Sequence, residues 1–208
     1  MLINNAGIHA FTQRITAEGR AEMTAVNYLA PWLLTDILRG KLVASAPARV
    51  VNVASRASLN AGDDSPLLGL TDTSDYSERD SSRRYGRTKL MDVMFTQELG
   101  RQLAGTGVAV TCCCPGFNAT GLGDEHPLSP VLRMILTRLD MGDPRHGAKI
   151  IVQLATDAAF AEVTGGYFAV EDGQPLECPE LGRDETLQRA LWDATADLTR
   201  EIQRFHTV

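Results

Sequence analysis

Tyr85 and Lys89 stand four apart in a segment with helical periodicity. That spacing puts a phenol and an ammonium on one helix face, one turn apart. A nearby ammonium favours the tyrosinate and lowers the phenol pKa from its ordinary value of about 10. A phenol tuned in this way can give a proton to a carbonyl oxygen or take one from a hydroxyl. The same spacing also arises on solvated helix faces that do no chemistry, so the surrounding elements must decide.

Those elements alternate. Met1–Asn5 reads as a short strand, and Ala21–Leu42 as a helix with Val26, Leu29, Leu33, Leu34, Ile37 and Leu38 at helical spacing. Pro31 inside it predicts a kink or a break. Arg49–Ala54 is a β-branched strand, Asn60–Ser82 a polar loop, and Ser82–Leu103 a helix with Leu90, Val93, Met94 and Leu99 as its apolar stripe. Val108–Cys114 is a strand closed by Pro115-Gly116. Pro144–Ala155 reads as a helix, Gly165–Val170 as a last strand and Asp184–Phe205 as a terminal helix, in which Trp192 is a packing residue. Alternation of this kind predicts an α/β fold, a Rossmann-like parallel sheet with flanking helices.

In such sheets ligands bind outside the carboxyl ends of the strands. Several polar or glycine features fall there. Asn4-Asn5-Ala6-Gly7 follows the first strand, Ser55 the second and Pro115-Gly116 the third, while Asn27 lies within the first helix. One shared crevice would bring them to Tyr85 and Lys89. Ser55 alone would read as a turn residue, and without a surrounding G-x-S-x-G it does not read as a hydrolase nucleophile. Asn52 reads as a satisfied buried amide and Ser58 as a loop residue. His9, His126, His146 and His206 have no ligand spacing and read as bystanders, His126 excepted for its place in the variable loop Asn118–Asp140.

N-N-A-G after a strand, V-N in the next helix, V-V-N-V-A-S, Y-G-R-T-K and C-P-G-F occur in that order. Together they resemble the short-chain dehydrogenase/reductase family, with Val26–Ser58 and Tyr85–Leu103 most similar to its retinol-dehydrogenase-like members. The resemblance covers nearly all of Met1–Gly116 and is looser afterward. It implies hydride transfer between NAD or NADP and a small-molecule alcohol or carbonyl. Tyr85 would be the general acid/base, and Lys89 would lower its pKa and hydrogen-bond the nicotinamide ribose. Ser55 would hold the substrate oxygen, and Asn27 would fix a helix kink and a relay water. Asn5, Ala6 and Gly7 would line the adenosine side of the cofactor, Pro115 and Gly116 would flank the nicotinamide, and Thr120 would contact the cofactor.

The family opens with a strand, T-G-x-x-x-G-x-G and a helix, and this sequence is similar to it from the fourth strand on. A single partial domain over residues 1–208, without the first βαβαβ half, is therefore the expectation. Gly105-Thr106-Gly107 and Gly121-Leu122-Gly123 lack the strand–turn–helix context of a dinucleotide fingerprint. The alternative to an oxidoreductase is a non-catalytic remnant or interaction module that cannot hold cofactor and self-associates, as a homo-oligomer, through the open Met1–Asn5 edge. An epimerase or dehydratase of the extended group is disfavoured by the short stretch after Gly116.

Composition narrows the class further. The chain is 44% hydrophobic and 22% charged, with a net charge of −6 and no basic block, which argues against nucleic acid as a partner. No run has the length of a membrane span, and Met1–Gly7 has no signal-peptide pattern, so a cytoplasmic protein is expected. Cys112, Cys113, Cys114 and Cys178 make neither a disulfide framework nor a metal pattern and read as reduced, buried side chains.

Overall fold

A computed structural model describes residues 1–116, 143–170 and 173–205; Thr120, His126, His206 and the loop Asn118–Asp140 lie outside the described residues. The chain runs from strand β1 (Leu2–Asn4) into helix α1 (Glu22–Thr24), a π-helical turn (Ala25–Leu29) and helix α2 (Ala30–Ala44). Strand β2 (Ala48–Val53), helix α3 (Glu78–Gln102), strand β3 (Val108–Cys114), helix α4 (Pro144–Thr156), strand β4 (Gly166–Ala169) and helix α5 (Glu185–Phe205) follow. The four strands pair in chain order, β1-β2-β3-β4, and every pairing is parallel.

Alternation along the strands divides the core in two. Val50, Val110, Cys112, Cys114 and Tyr167 point to one face and pack with Trp32, Leu90, Met94, Phe95 and Trp192. Val51, Cys113 and Phe168 point to the other and pack with Ile150, Leu154 and Ala155 of α4. The two-residue period of a strand requires this segregation, and it explains why three consecutive cysteines serve two different layers. All four cysteines are free and buried. Trp192 packs as expected, with ring centroids 4.9 Å from Trp32 and 5.8 Å from Phe95.

Three expectations about the elements need correction. Pro31 neither breaks the helix nor leaves an empty kink. It follows a π turn closed by Ala30 N–H donating to the Ala25 carbonyl. Pro31 has no N–H to give the Asn27 carbonyl, and one extra residue in the preceding turn removes the clash a proline ring makes there. The α2 stripe is right only in part: Leu29 is buried and Leu33 and Leu38 pack against the core, but Leu34 and Ile37 are 45% and 62% exposed, whereas Trp32, Thr35 and Leu42 are buried. The third concerns Asn60–Ser82, which is not featureless loop. Short 3-10 turns occupy Arg56–Asn60 and Pro66–Leu70, and α3 begins at Glu78 with Ser77 as its N-cap, accepting from Asp80 N–H at 3.3 Å. Ser58 accordingly is buried and not a surface loop residue.

Beneath the carboxyl ends of the strands runs a buried polar chain. Asn4 donates to Asn52 at 2.7 Å and to Thr35 at 3.0 Å, and Asn52 donates to Thr96 at 2.9 Å. Buried amides cost least when fully paired, and this chain ties β1 and β2 to α2 and α3 directly below the site. Among the described residues no helix is long and apolar enough to cross a membrane, and no cluster of His, Cys, Asp or Glu could hold a metal ion.

Candidate active site

A cleft of about 720 Å³ opens over the carboxyl ends of β1, β2 and β3. Asn5, Ala6 and Gly7 line it from the end of β1, Ser55 from the end of β2, and Pro115 and Gly116 from the end of β3. Tyr85 and Lys89 enter from one face of α3. Residues distant in sequence therefore meet because parallel strands all end on the same side.

Two local features bring Ser55 to Tyr85. Ser55 caps the Arg56–Asn60 turn, its hydroxyl accepting from Ala57 N–H at 3.2 Å, and Arg56 N–H donates to the Cys114 sulfur at 3.2 Å. The turn then packs on α3 at Gly86. A Cβ there would overlap the Ala57 carbonyl oxygen and stand 3.1 Å from Ala61 N. Only a residue without a side chain lets the backbone come so close. Ser55 is thereby brought to the same cleft as Tyr85 and helps to lower the phenol pKa.

The electrostatics differ from the simple expectation. Burial pushes the Tyr85 phenol up, Lys89 and Ser55 pull it down, and the net direction is upward. Lys89 does oppose the rise, but it is itself buried and paired. Its Nζ donates to the Val53 carbonyl at 2.8 Å and to Asp92 Oδ2 at 2.9 Å, and lies 5.9 Å from the centre of the Tyr85 ring. Burial works against the Lys89 charge, yet Asp92, Tyr85 and the hydrogen bond outweigh it, so its pKa is raised. Asp92 is pushed up to about 6 by burial, with Lys89 opposing.

Asn27 does not line the cleft; it braces it. Its amide accepts from Ile8 N–H at 2.8 Å and donates to the Ile8 carbonyl at 2.9 Å and to Thr88 at 3.0 Å. The π turn thus fastens the segment after β1 to the helix that carries Tyr85 and Lys89. A Cβ on Gly7 would stand 3.4 Å from Asn27 Oδ1 and 3.6 Å from Lys89 Nζ, so glycine keeps the wall open beside the ammonium.

Sequence reasoning missed three residues here. Asp92 carried a visible signal, its three-residue spacing from Lys89 on a helix. Gly86 sat unassigned inside the Tyr85–Lys89 segment. His9, read as a bystander, lines the cleft and stacks on Tyr85 with centroids 4.8 Å apart. Its Nε2 lies 3.2 Å from the Ser81 hydroxyl. Nothing in a lone histidine announced that contact.

No family model matches the chain. It is nevertheless 33% identical over 196 residues to human retinol dehydrogenase 14, covering 93% of this chain and 56% of that protein. Human retinol dehydrogenase 13 is 34% identical over 210 residues, covering 95% and 60%. Human dehydrogenase/reductase SDR family member 13 is 35% identical over 201 residues, covering 95% and 51%. The chain therefore spans little more than half the length of these relatives. Among solved structures, an uncharacterized protein from Mycobacterium Paratuberculosis superposes with a TM-score of 0.69 at 25% identity, over 96% of this chain and 66% of that one. A protein described as an NAD(P) dependent gluconate 5-dehydrogenase from Beutenbergia cavernae, solved with NADP, superposes at 0.56 and 26% identity, over 81% and 64%. The similarity runs along almost the whole sequence and the sheet topology agrees with it: over 93–95% of its length the chain is similar to retinol dehydrogenases and to a dehydrogenase/reductase of the SDR family.

Proposed function

We propose that this chain carries the acid–base half of an oxidoreductase that moves a hydride between NAD(H) or NADP(H) and a small alcohol or carbonyl. The observation that supports this most is the meeting of Ser55, Tyr85 and Lys89 at one cleft over the strand ends. In this reading Ser55 donates a hydrogen bond to the substrate oxygen, and Tyr85 donates or accepts the proton there. Burial keeps the phenol protonated at neutral pH, the form that reduction of a carbonyl requires.

The residues present fit the nicotinamide and ribose half of the cofactor. Gly7 leaves room beside Lys89, and Lys89 has two donors committed and a third free for a ribose hydroxyl. Gly116, at φ +73°, lies beside Pro115 in the cleft wall, and a Cβ there would stand 2.8 Å from Val170 Cγ1. Asn5 and Ala6 extend this wall toward the adenosine side, and by resemblance to the family Thr120 would contact the cofactor. When bound, the nicotinamide supplies or receives the hydride. The pyrophosphate needs backbone amides from a glycine-rich turn. Gly105 and Gly107 cannot serve, because they precede β3 at the opposite end of the sheet. The buried, unpaired thiols match a reducing compartment such as the cytoplasm.

Loss of absorbance at 340 nm from NADH or NADPH, with a panel of small aldehydes and ketones, tests the reading. Turnover that Tyr85→Phe abolishes supports it, and equal turnover in both proteins contradicts it. The second reading is a non-catalytic module that pairs through β1. It draws on the open side of that strand, which among the described residues pairs only with β2 and exposes Ile3. Self-association on size-exclusion chromatography that Ile3→Lys abolishes, with no turnover by any protein, would favour it.

A further inference from the structure

Asp92 is a carboxylate 3% exposed, set between a helix and the sheet and paired with Lys89 at 2.9 Å. A buried acid is expensive unless it is paired. The proposed reaction gives this one no task, since the proton passes between Tyr85 and the substrate. The geometry points to Asp92 as the positioning residue that holds Lys89 against the end of β2 and offsets its charge beside Tyr85. This rests on the reading of Tyr85 as the proton carrier and adds what sets its strength.

A lysine head on four methylenes rotates freely unless its donors are engaged. Here one proton goes to the Val53 carbonyl, the last of β2, and one to Asp92 Oδ2. Asp92 is not among the residues that line the cleft, and with two protons committed the third N–H of Lys89 is left for it. Charge follows from the same contact. An isolated ammonium near a phenol stabilises the phenolate strongly, whereas an ammonium paired with a carboxylate presents a dipole. Asp92 also acts on Tyr85 directly and raises it.

The titratable groups facing the pair are Tyr85 on α3, Tyr28 in the π turn, and Cys112 and Cys114 on β3, and Cys113 acts on Lys89 from the other face of the sheet. Burial raises Tyr28, Cys112 and Cys113, so these stay neutral at pH 7. Asp92 is the one carboxylate among them, and its removal is the substitution that changes the field at Tyr85.

Carbon-13 NMR of Cζ-labelled tyrosine reads this without cofactor or substrate, the Tyr85 resonance being identified by its loss in Tyr85→Phe. A negative result therefore bears on Asp92 and not on the proposed reaction. Asp92→Asn should lower the Tyr85 ionisation midpoint by about one pH unit, from the loss of one buried negative charge. Lys89→Met should raise it. A carboxylate that serves packing alone would leave the midpoint where it is, and an unchanged or higher midpoint in folded Asp92→Asn overturns the proposal. Asp92→Ser makes the same charge change in a smaller side chain, should the amide not fold. In the wild-type protein an ammonium held on two acceptors gives a slowly exchanging Lys89 15Nζ signal at neutral pH. An ammonium exchanging as fast as those of surface lysines would equally contradict the assignment.

Discussion

The two ends of the sheet contain the same kinds of turn residue and do different things with them. At the amino end of β3, Gly105 and Gly107 adopt φ of +77° and simply turn the chain, with Thr106 donating to the Leu103 carbonyl at 2.6 Å. At the carboxyl end of β3, Gly116 adopts nearly the same φ but borders a cleft that also receives Ser55, Tyr85 and Lys89. Backbone conformation does not separate the two ends. What separates them is which buried groups gather there: the Asn4–Asn52–Thr96 chain, the Lys89–Asp92 pair and the Asn27 clamp lie toward the carboxyl end, whereas buried Glu98 and Gln188 with Arg101 lie toward the other and meet no tyrosine among the described residues.

Substitutions can break that comparison. The largest effect is expected on chemistry. Tyr85→Phe should lower turnover about 10²–10⁴-fold, the range of a lost general acid, while Thr106→Ala at the opposite end leaves it unchanged; matched steady-state assays decide. The next effect is on stability. Lys89→Met leaves Asp92 buried without a partner and should cost about 3 kcal/mol in urea melts at pH 8.

The sign of the pH dependence follows from Asp92. Its folded pKa is raised, so the native state holds its proton more tightly than the unfolded chain, and stability is lost as pH rises through about 6. Without Lys89 the rise is larger. The deficit of Lys89→Met should accordingly be smaller at pH 5 than at pH 8, and a deficit independent of pH would contradict the pairing.

A smaller contrast compares two glycines. Gly86→Ala gains helix propensity of about 1 kcal/mol but forces a methyl onto the Ala57 carbonyl, and overpacking against backbone costs about 1–3 kcal/mol. The clash should win, with turnover falling as the Ser55 turn moves off α3. Gly105→Ala meets nothing within 4 Å and pays only for its positive φ, about 1 kcal/mol, with turnover intact. Thermal melts and assays on both variants test this. The smallest effect concerns the thiols. Burial pushes Cys113 up to about 12 and Cys178 up to about 11, and all four cysteines are buried. Iodoacetamide at pH 8 should label none in the native protein and four in urea; mass spectrometry gives the count.

Much of this was legible in the sequence, for reasons that can be named. The α3 stripe could be read because Leu90, Val93, Met94 and Leu99 face a sheet along the whole helix, so period and burial coincide, each being 1% exposed or less. Strand-end positions could be read because parallel connectivity puts Ser55 and Gly116 on one side whatever the loops do. The α2 stripe could be read only in part. Leu34 and Ile37 have the right spacing, but the neighbours that cover this helix, Phe95 and Trp192, meet it at Trp32 instead. Nor could the sign of the Tyr85 shift be read. Spacing gives the ammonium, but the burial of the phenol and the Asp92 counter-charge depend on the sheet behind them. His9 belongs with these, since its stacking on Tyr85 depends on a loop conformation set by Asn27.

The central claim is that the carboxyl-end cleft holds the nicotinamide half of a cofactor. Titration of the 15N-labelled chain with reduced nicotinamide mononucleotide, followed by amide chemical shifts, tests it most directly, because that ligand makes no demand on a pyrophosphate loop. Shifts concentrated at Asn5, Ala6, Gly7, Ser55, Lys89 and Gly116, with Gly105, Thr106 and Gly107 unmoved, are the predicted result. Shifts at the amino-end turns, or none at the cleft at saturating ligand, would contradict it.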